Sequence, residues 1–77
     1  MDAANLVRMA NRIGEFFVAF PDRAEAIDGV AAHIAHFWEP RMRRQVLALL
    51  GTPEGEALSP LVADALKANR DRLAPVG

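Results

Sequence analysis

Prolines at positions 21, 40 and 60 constrain this chain more than any other feature of its sequence. Inside a helix, a proline removes a backbone donor, clashes with the preceding turn and pushes the residue before it out of the α region. A helix can start at such a residue but cannot run through it undisturbed. With the loop that follows Gly51, these points leave four segments, and each carries apolar residues at helical spacing. No segment alternates as a strand does. The expected class is all-α, a small bundle of about four short helices, with helices 1 and 2 forming an antiparallel hairpin.

In the first segment Leu6, Met9, Ile13, Phe16, Phe17 and Phe20 read as one stripe, ended by Pro21. Asp22 then resembles an N-cap, and Glu25 three residues later would complete a capping box. In the second segment Ile27, Val30, Ala31, Ile34, Phe37 and Trp38 share a face. Gly29 interrupts it at a cost of up to about 1 kcal/mol relative to alanine, which a close helix approach would explain. The third opens at Pro40, places Met42, Val46, Leu49 and Leu50 on one side, and ends at Gly51, a plausible C-terminal cap. "GTPEGEAL" reads as a loop. Ser59-Pro60 starts a fourth helix that carries Leu61, Val62, Ala65, Leu66, Asn69 and Leu73.

Seventy-seven residues form one domain, 1–77, with 75–77 expected as a frayed tail. Hydrophobic residues make up 52%, but many are alanines, so the core is thin and leaves no walls for a deep pocket. The chain has no cysteine, which excludes disulfides and thiolate-held metals or clusters and fits a reducing compartment. No apolar run approaches the roughly 20 residues of a membrane span, and the start lacks the order of a secretory signal; a cytoplasmic protein is expected. The formal net charge of −1 provides no basic field for nucleic acid.

The residues suited to catalysis are few and scattered. His33 and His36 stand three apart on helix 2, but no nearby carboxylate completes a metal site, so they read as solvated or boundary residues, the alternative being a partner's carboxylate that reaches His33. Ser59 is the only serine and has a capping role, while Thr52 lies in a loop without a neighbouring base. Glu54 and Glu56 sit in the same loop without the burial that tunes an acid. No catalytic, cofactor-binding or metal-binding residues are expected in this chain.

The octapeptide "FWEPRMRR", residues 37–44, is the least ordinary stretch. Arg41, Arg43 and Arg44 fall in the first turn or so of helix 3, where the helix dipole disfavours positive charge by a few tenths to about 1 kcal/mol each. Glu39 offsets part of that. The arginines are either a tolerated solvated face or a site that meets anionic groups of another molecule. The aromatic pairs Phe16-Phe17 and Phe37-Trp38 pose a related problem. Neighbours on a helix diverge by about 100°, so one member of each pair should lie near the edge. Phe16 and Phe37, with Ile13 and Ile34, are expected in the core. Aromatics beside arginines match the composition of interface hot spots.

Three stretches, "NLVRMANRIGEFF", "FWEPRMRRQVLALL" and "LSPLVADAL", occur in order across residues 5–66 and resemble the delta subunit of bacterial NAD-dependent molybdenum formate dehydrogenases. The tryptophan-acid-Pro-Arg-Met-Arg block is the most specific part. The family leads one to expect aspartate where this chain has Glu39, and a weaker start to helix 3 follows from that departure. The resemblance implies a non-catalytic accessory subunit that binds the large alpha subunit and supports its assembly or stability. The alpha subunit would hold bis-molybdopterin guanine dinucleotide and iron–sulfur clusters, and beta and gamma subunits with FMN and further clusters would pass electrons to NAD⁺. The other role considered is a transient maturation factor for insertion of the guanine dinucleotide cofactor. On the accessory-subunit reading Phe37, Trp38, Pro40, Arg41, Met42, Arg43 and Arg44 are the expected docking element, with Arg8 and Arg12 as secondary contacts; on the maturation reading the arginines would guide the cofactor.

Overall fold

The computed structural model describes residues 2–75. Helices α1 (Ala3–Phe17), α2 (Arg23–Phe37), α3 (Pro40–Ala48), α4 (Pro60–Ala68) and α5 (Arg70–Leu73) follow one another, with a 3-10 turn at Glu54–Ala57 between α3 and α4. No strand occurs among the described residues. Helix α2 lies at the centre, packed on α1, α4 and α5, while α3 contacts α1 and α5. Phe17 of α1 lies against Gly29 of α2, whereas Arg12 and Ile13 border the same depression as His33. Rising numbers on one helix therefore meet falling numbers on the other, the antiparallel hairpin expected from the short connection at Pro21.

The expected caps are present. Asp22 accepts from Ala24 N at 2.9 Å, and Ser59 Oγ accepts from Val62 N at 3.4 Å. Pro40 and Pro60 both occupy first-turn positions. Asp2 also caps α1, accepting from Asn5 N at 2.8 Å. Glu25 returns no hydrogen bond to Asp22 among the described residues, so the capping box is half formed. Helix α3 ends at Ala48 with Leu49 as its C-cap, so Gly51, expected as the cap, stands two residues further on in the turn, where its φ of +82° is a left-handed conformation that glycine adopts without strain.

Leu6, Val30, Ile34, Val46, Val62, Leu66 and Leu73 are the largest fully buried side chains. Small residues let the helices close around them. At Gly14, a Cβ would stand 2.7 Å from Val62 Cγ2, so the crossing of α1 and α4 depends on its absence. Gly29 has the same role on α2, where the Phe17 ring occupies the space of a Cβ, as the close-approach reading anticipated.

Four features depart from the sequence reading. Buried residues of α1 are Leu6, Val7, Ala10 and Gly14, a seam rotated by about a quarter turn from the expected stripe. Phe16, expected in the core, is consequently exposed. Phe37, also expected inside, is exposed, and Trp38 is buried in its place. The expected loop after Gly51 contains the 3-10 turn, held close because Gly55 packs on the Leu49 carbonyl. The fourth helix breaks at Asn69, whose backbone leaves the helical region (φ −119°, ψ 26°) while its side chain donates to Ala65 O at 3.0 Å. That break turns α5 back so that Leu73 is fully buried. Of the expected tail, Pro75 has no regular secondary structure, and Val76 and Gly77 lie outside the described residues.

Candidate docking surface

The path of "FWEPRMRR" follows from where α2 ends. Phe37 is the last helical residue; Trp38 leaves the helix with extended backbone (φ −89°, ψ 139°) while its N–H still donates to Ile34 O at 3.0 Å. The 100° stepping of a helix no longer governs Trp38, and its indole turns into the core, 7% exposed. Glu39 takes the N-cap position of α3 without a side-chain hydrogen bond, and Pro40 starts the helix. Met42, expected on the apolar side of helix 3 and also in the docking element, is half-buried and packs on the core.

The three arginines part company. Arg43 is half-buried and donates through a terminal guanidinium nitrogen to Ala35 O at 2.9 Å. That carbonyl belongs to the last turn of α2, where carbonyls lack intrahelical partners and the dipole favours a cation. One arginine thus answers the electrostatic oddity from within: its charge sits at the start of α3 but is placed at the end of α2. Its Nε is buried without a hydrogen-bond partner. Arg41 and Arg44 are exposed and form no ion pair among the described residues. Arg8, also exposed, donates to Asn5 Oδ1 at 2.6 Å.

On the other flank of α2, the phenylalanines gather. Phe37 is 68% exposed and lies between two imidazoles, with ring centroids 4.7 Å from His33 and 4.6 Å from His36. Phe16, 67% exposed, meets Phe17 edge-on at 4.9 Å, and Phe20 closes the group at 5.1 Å from Phe17. Two open depressions join the clusters. One is bordered by Arg12, Ile13, Phe16, Phe17 and His33, the other by Phe17, Gly29, His33, Phe37 and Arg72 among its residues. Phe17 and His33 border both, so the aromatic groups form one continuous face across α1 and α2. Of the residues expected to meet a partner, the fold brings Phe37 and Arg12 to this face. Pro40, Arg41 and Arg44 stand together at the start of α3, and Trp38, Met42 and Arg43 point into the molecule.

Phe16, Phe20 and His33 were not among the docking residues read from the sequence. The adjacent phenylalanines were the available signal, but helical periodicity assigned Phe16 to the wrong side. Another residue missed was Asn11, which donates to Ala57 O at 2.9 Å and accepts from Ser59 N at 2.8 Å. It ties the 3-10 turn and the start of α4 to α1, and its partners are too distant in sequence for any local pattern to show. Among the described residues no three His, Cys, Asp or Glu side chains gather closely enough to hold a metal ion. No helix there is long and apolar enough to cross a membrane.

The family model for the NADH-dependent formate dehydrogenase delta subunit, FdsD, matches residues 5–66. This chain belongs to that delta-subunit family. No match to it is found among curated proteins or among solved structures. The matched span runs from the first turns of α1 into α4, so it includes the octapeptide and every aromatic residue of the delta-subunit face. Helix α5, with Arg72, falls beyond it. The sequence resemblance and the family match therefore cover the same residues.

Proposed function

We propose that this delta-subunit chain is a non-catalytic accessory subunit that binds the large alpha subunit of an NAD-dependent, molybdenum-containing formate dehydrogenase and supports its assembly or stability. The observation that carries the reading is the exposed aromatic surface of a family member this small. A 77-residue chain has little apolar area to spare, yet Phe16 and Phe37 both stand more than half exposed. Such a surface costs solubility in a free monomer and is usual where another protein covers it.

The docking element is built from both sides of α2's end. Phe37, Pro40, Arg41 and Arg44 make contacts from the surface, and Arg8 and Arg12 add charge from α1. Trp38, Met42 and Arg43 shape the element from within by anchoring the turn between α2 and α3. Arginine at these positions suits recognition of carboxylates on the partner because its planar fork donates two parallel hydrogen bonds.

Co-expression of the tagged chain with the other subunits tests this. The alpha subunit is expected to co-purify in constant proportion through size exclusion, and omitting the delta chain should lower the yield of assembled alpha subunit. Assembly that is normal without the chain, together with no co-purification, overturns the reading. Loss of the chain from the mature enzyme, with cofactor-deficient alpha subunit in its absence, would favour the transient maturation role.

A further inference from the structure

We infer that the α1–α2 aromatic face is where the partner protein is received, and that its occupant is an apolar segment of that partner bordered by carboxylates. The inference rests on the accessory-subunit reading and specifies the side of the molecule and the chemistry of the contact. Phe16, Phe20 and Phe37 supply the apolar centre, which His33 and Phe17 make continuous. Large aromatics on a shallow surface, with arginine at the rim, are the composition on which binding energy concentrates.

The charges at the rim identify the occupant. Residues bordering the two depressions include Arg12, Arg72, His33 and His36, and none is a carboxylate. Arg72 is already paired, donating to Asp28 at 2.8 Å. Arg12 has no ion pair among the described residues, so its guanidinium is free for an external carboxylate. Glu15, one turn along α1, borders a different depression with Val18 and Arg23. The imidazoles beside Phe37 add N–H donors and no negative charge.

A second copy of this chain is a poor occupant for the same reason. A two-fold contact would bring the face against itself. Arg12 of each copy would then meet arginine and histidine, while the one carboxylate paired at the rim, Asp28, is already held by Arg72, and like charges across an interface disfavour association. A partner with apolar side chains at the centre and Asp or Glu around them satisfies both features.

Tagged full-length chain co-expressed with the other formate dehydrogenase subunits provides the test. Phe16→Ser/Phe37→Ser is expected to reduce retention of the alpha subunit at least tenfold, and Arg12→Glu several-fold. Far-UV circular dichroism should stay unchanged because these side chains lie outside the core. Photo-crosslinking from p-benzoylphenylalanine placed at Phe37 should capture an alpha-subunit peptide containing Asp or Glu beside apolar residues. Retention by Phe16→Ser/Phe37→Ser at the unsubstituted level, with Arg41→Glu/Arg44→Glu losing the subunit, overturns this face while leaving the accessory role intact. A captured peptide without acids overturns the charge assignment. Dimerisation of the isolated chain in sedimentation, abolished by Phe16→Ser/Phe37→Ser, would assign the face to a second copy and overturn the proposal. If the unsubstituted chain retains no alpha subunit, both the face and the accessory role fall.

Discussion

The seam between α2 and α4 and the outer face of α1 and α2 use apolar residues in opposite ways. The seam buries Val30, Ile34, Val62 and Leu66, with Ala26 and Ala65 in the same cluster. The outer face holds the four phenylalanines, and Phe16 and Phe37 are largely in water. Hydrophobicity by itself would put the aromatics inside. What separates the two regions is distance between backbones: helices that approach closely accept alanine, glycine and branched aliphatics, and they have no room for a ring. Phe17 shows the limit, since its ring fits only where Gly29 leaves the α2 backbone bare.

The largest expected effect contrasts the members of one pair. Trp38→Ala should cost about 3–5 kcal/mol of stability by opening a cavity in the core, whereas Phe37→Ala should stay within about 0.5 kcal/mol. Urea unfolding followed by circular dichroism reads both; similar losses would erase the distinction between buried seam and outer face. A smaller loss, about 1–3 kcal/mol, is expected for Gly14→Ala, because the new methyl group must displace the buried Val62 at the α1–α4 crossing. The same unfolding measurement gives its size, and a neutral result would show that α1 can move away freely.

Arg43→Met and Arg44→Met divide the arginines in the same manner. The first breaks the hydrogen bond to Ala35 O and should cost about 1.5–3 kcal/mol, while the second should change stability by less than about 0.5 kcal/mol. Thermal unfolding of the two variants side by side decides the matter, and equal midpoints would return Arg43 to the surface. The smallest effect is a gain. Glu39→Asp places a shorter carboxylate at an N-cap that has extended backbone but no side-chain bond, and should add about 0.5–1 kcal/mol. Its check is a raised unfolding midpoint in the isolated chain.

Much of the fold could be read from local chemistry. Asp22, Pro40 and Ser59-Pro60 mark helix starts because capping and proline sterics act within a few residues. The proposed docking surface was only half legible. Phe37 and Arg12, expected at a partner contact, both border the aromatic face, and one exposed member per aromatic pair was expected, but the exposed member was misassigned in each. On α1 the rings at Phe16 and Phe20 outweighed Ala10 and Gly14 in the periodicity, although the small residues mark the close contact. At Trp38 the periodic argument failed because the helix had already ended.

By itself the sequence determined the helical class, the places where helices start, the absence of thiol chemistry and the family. Each depends on residue identity and near neighbours. Only the tertiary structure decided which side of each helix is buried, where the chain breaks at Asn69, and that Arg43 serves α2 while Arg41 and Arg44 face outward. Those outcomes depend on how closely one backbone approaches another. That distance is set by contacts between residues far apart in the chain, such as Gly14 with Val62 and Asn11 with Ser59.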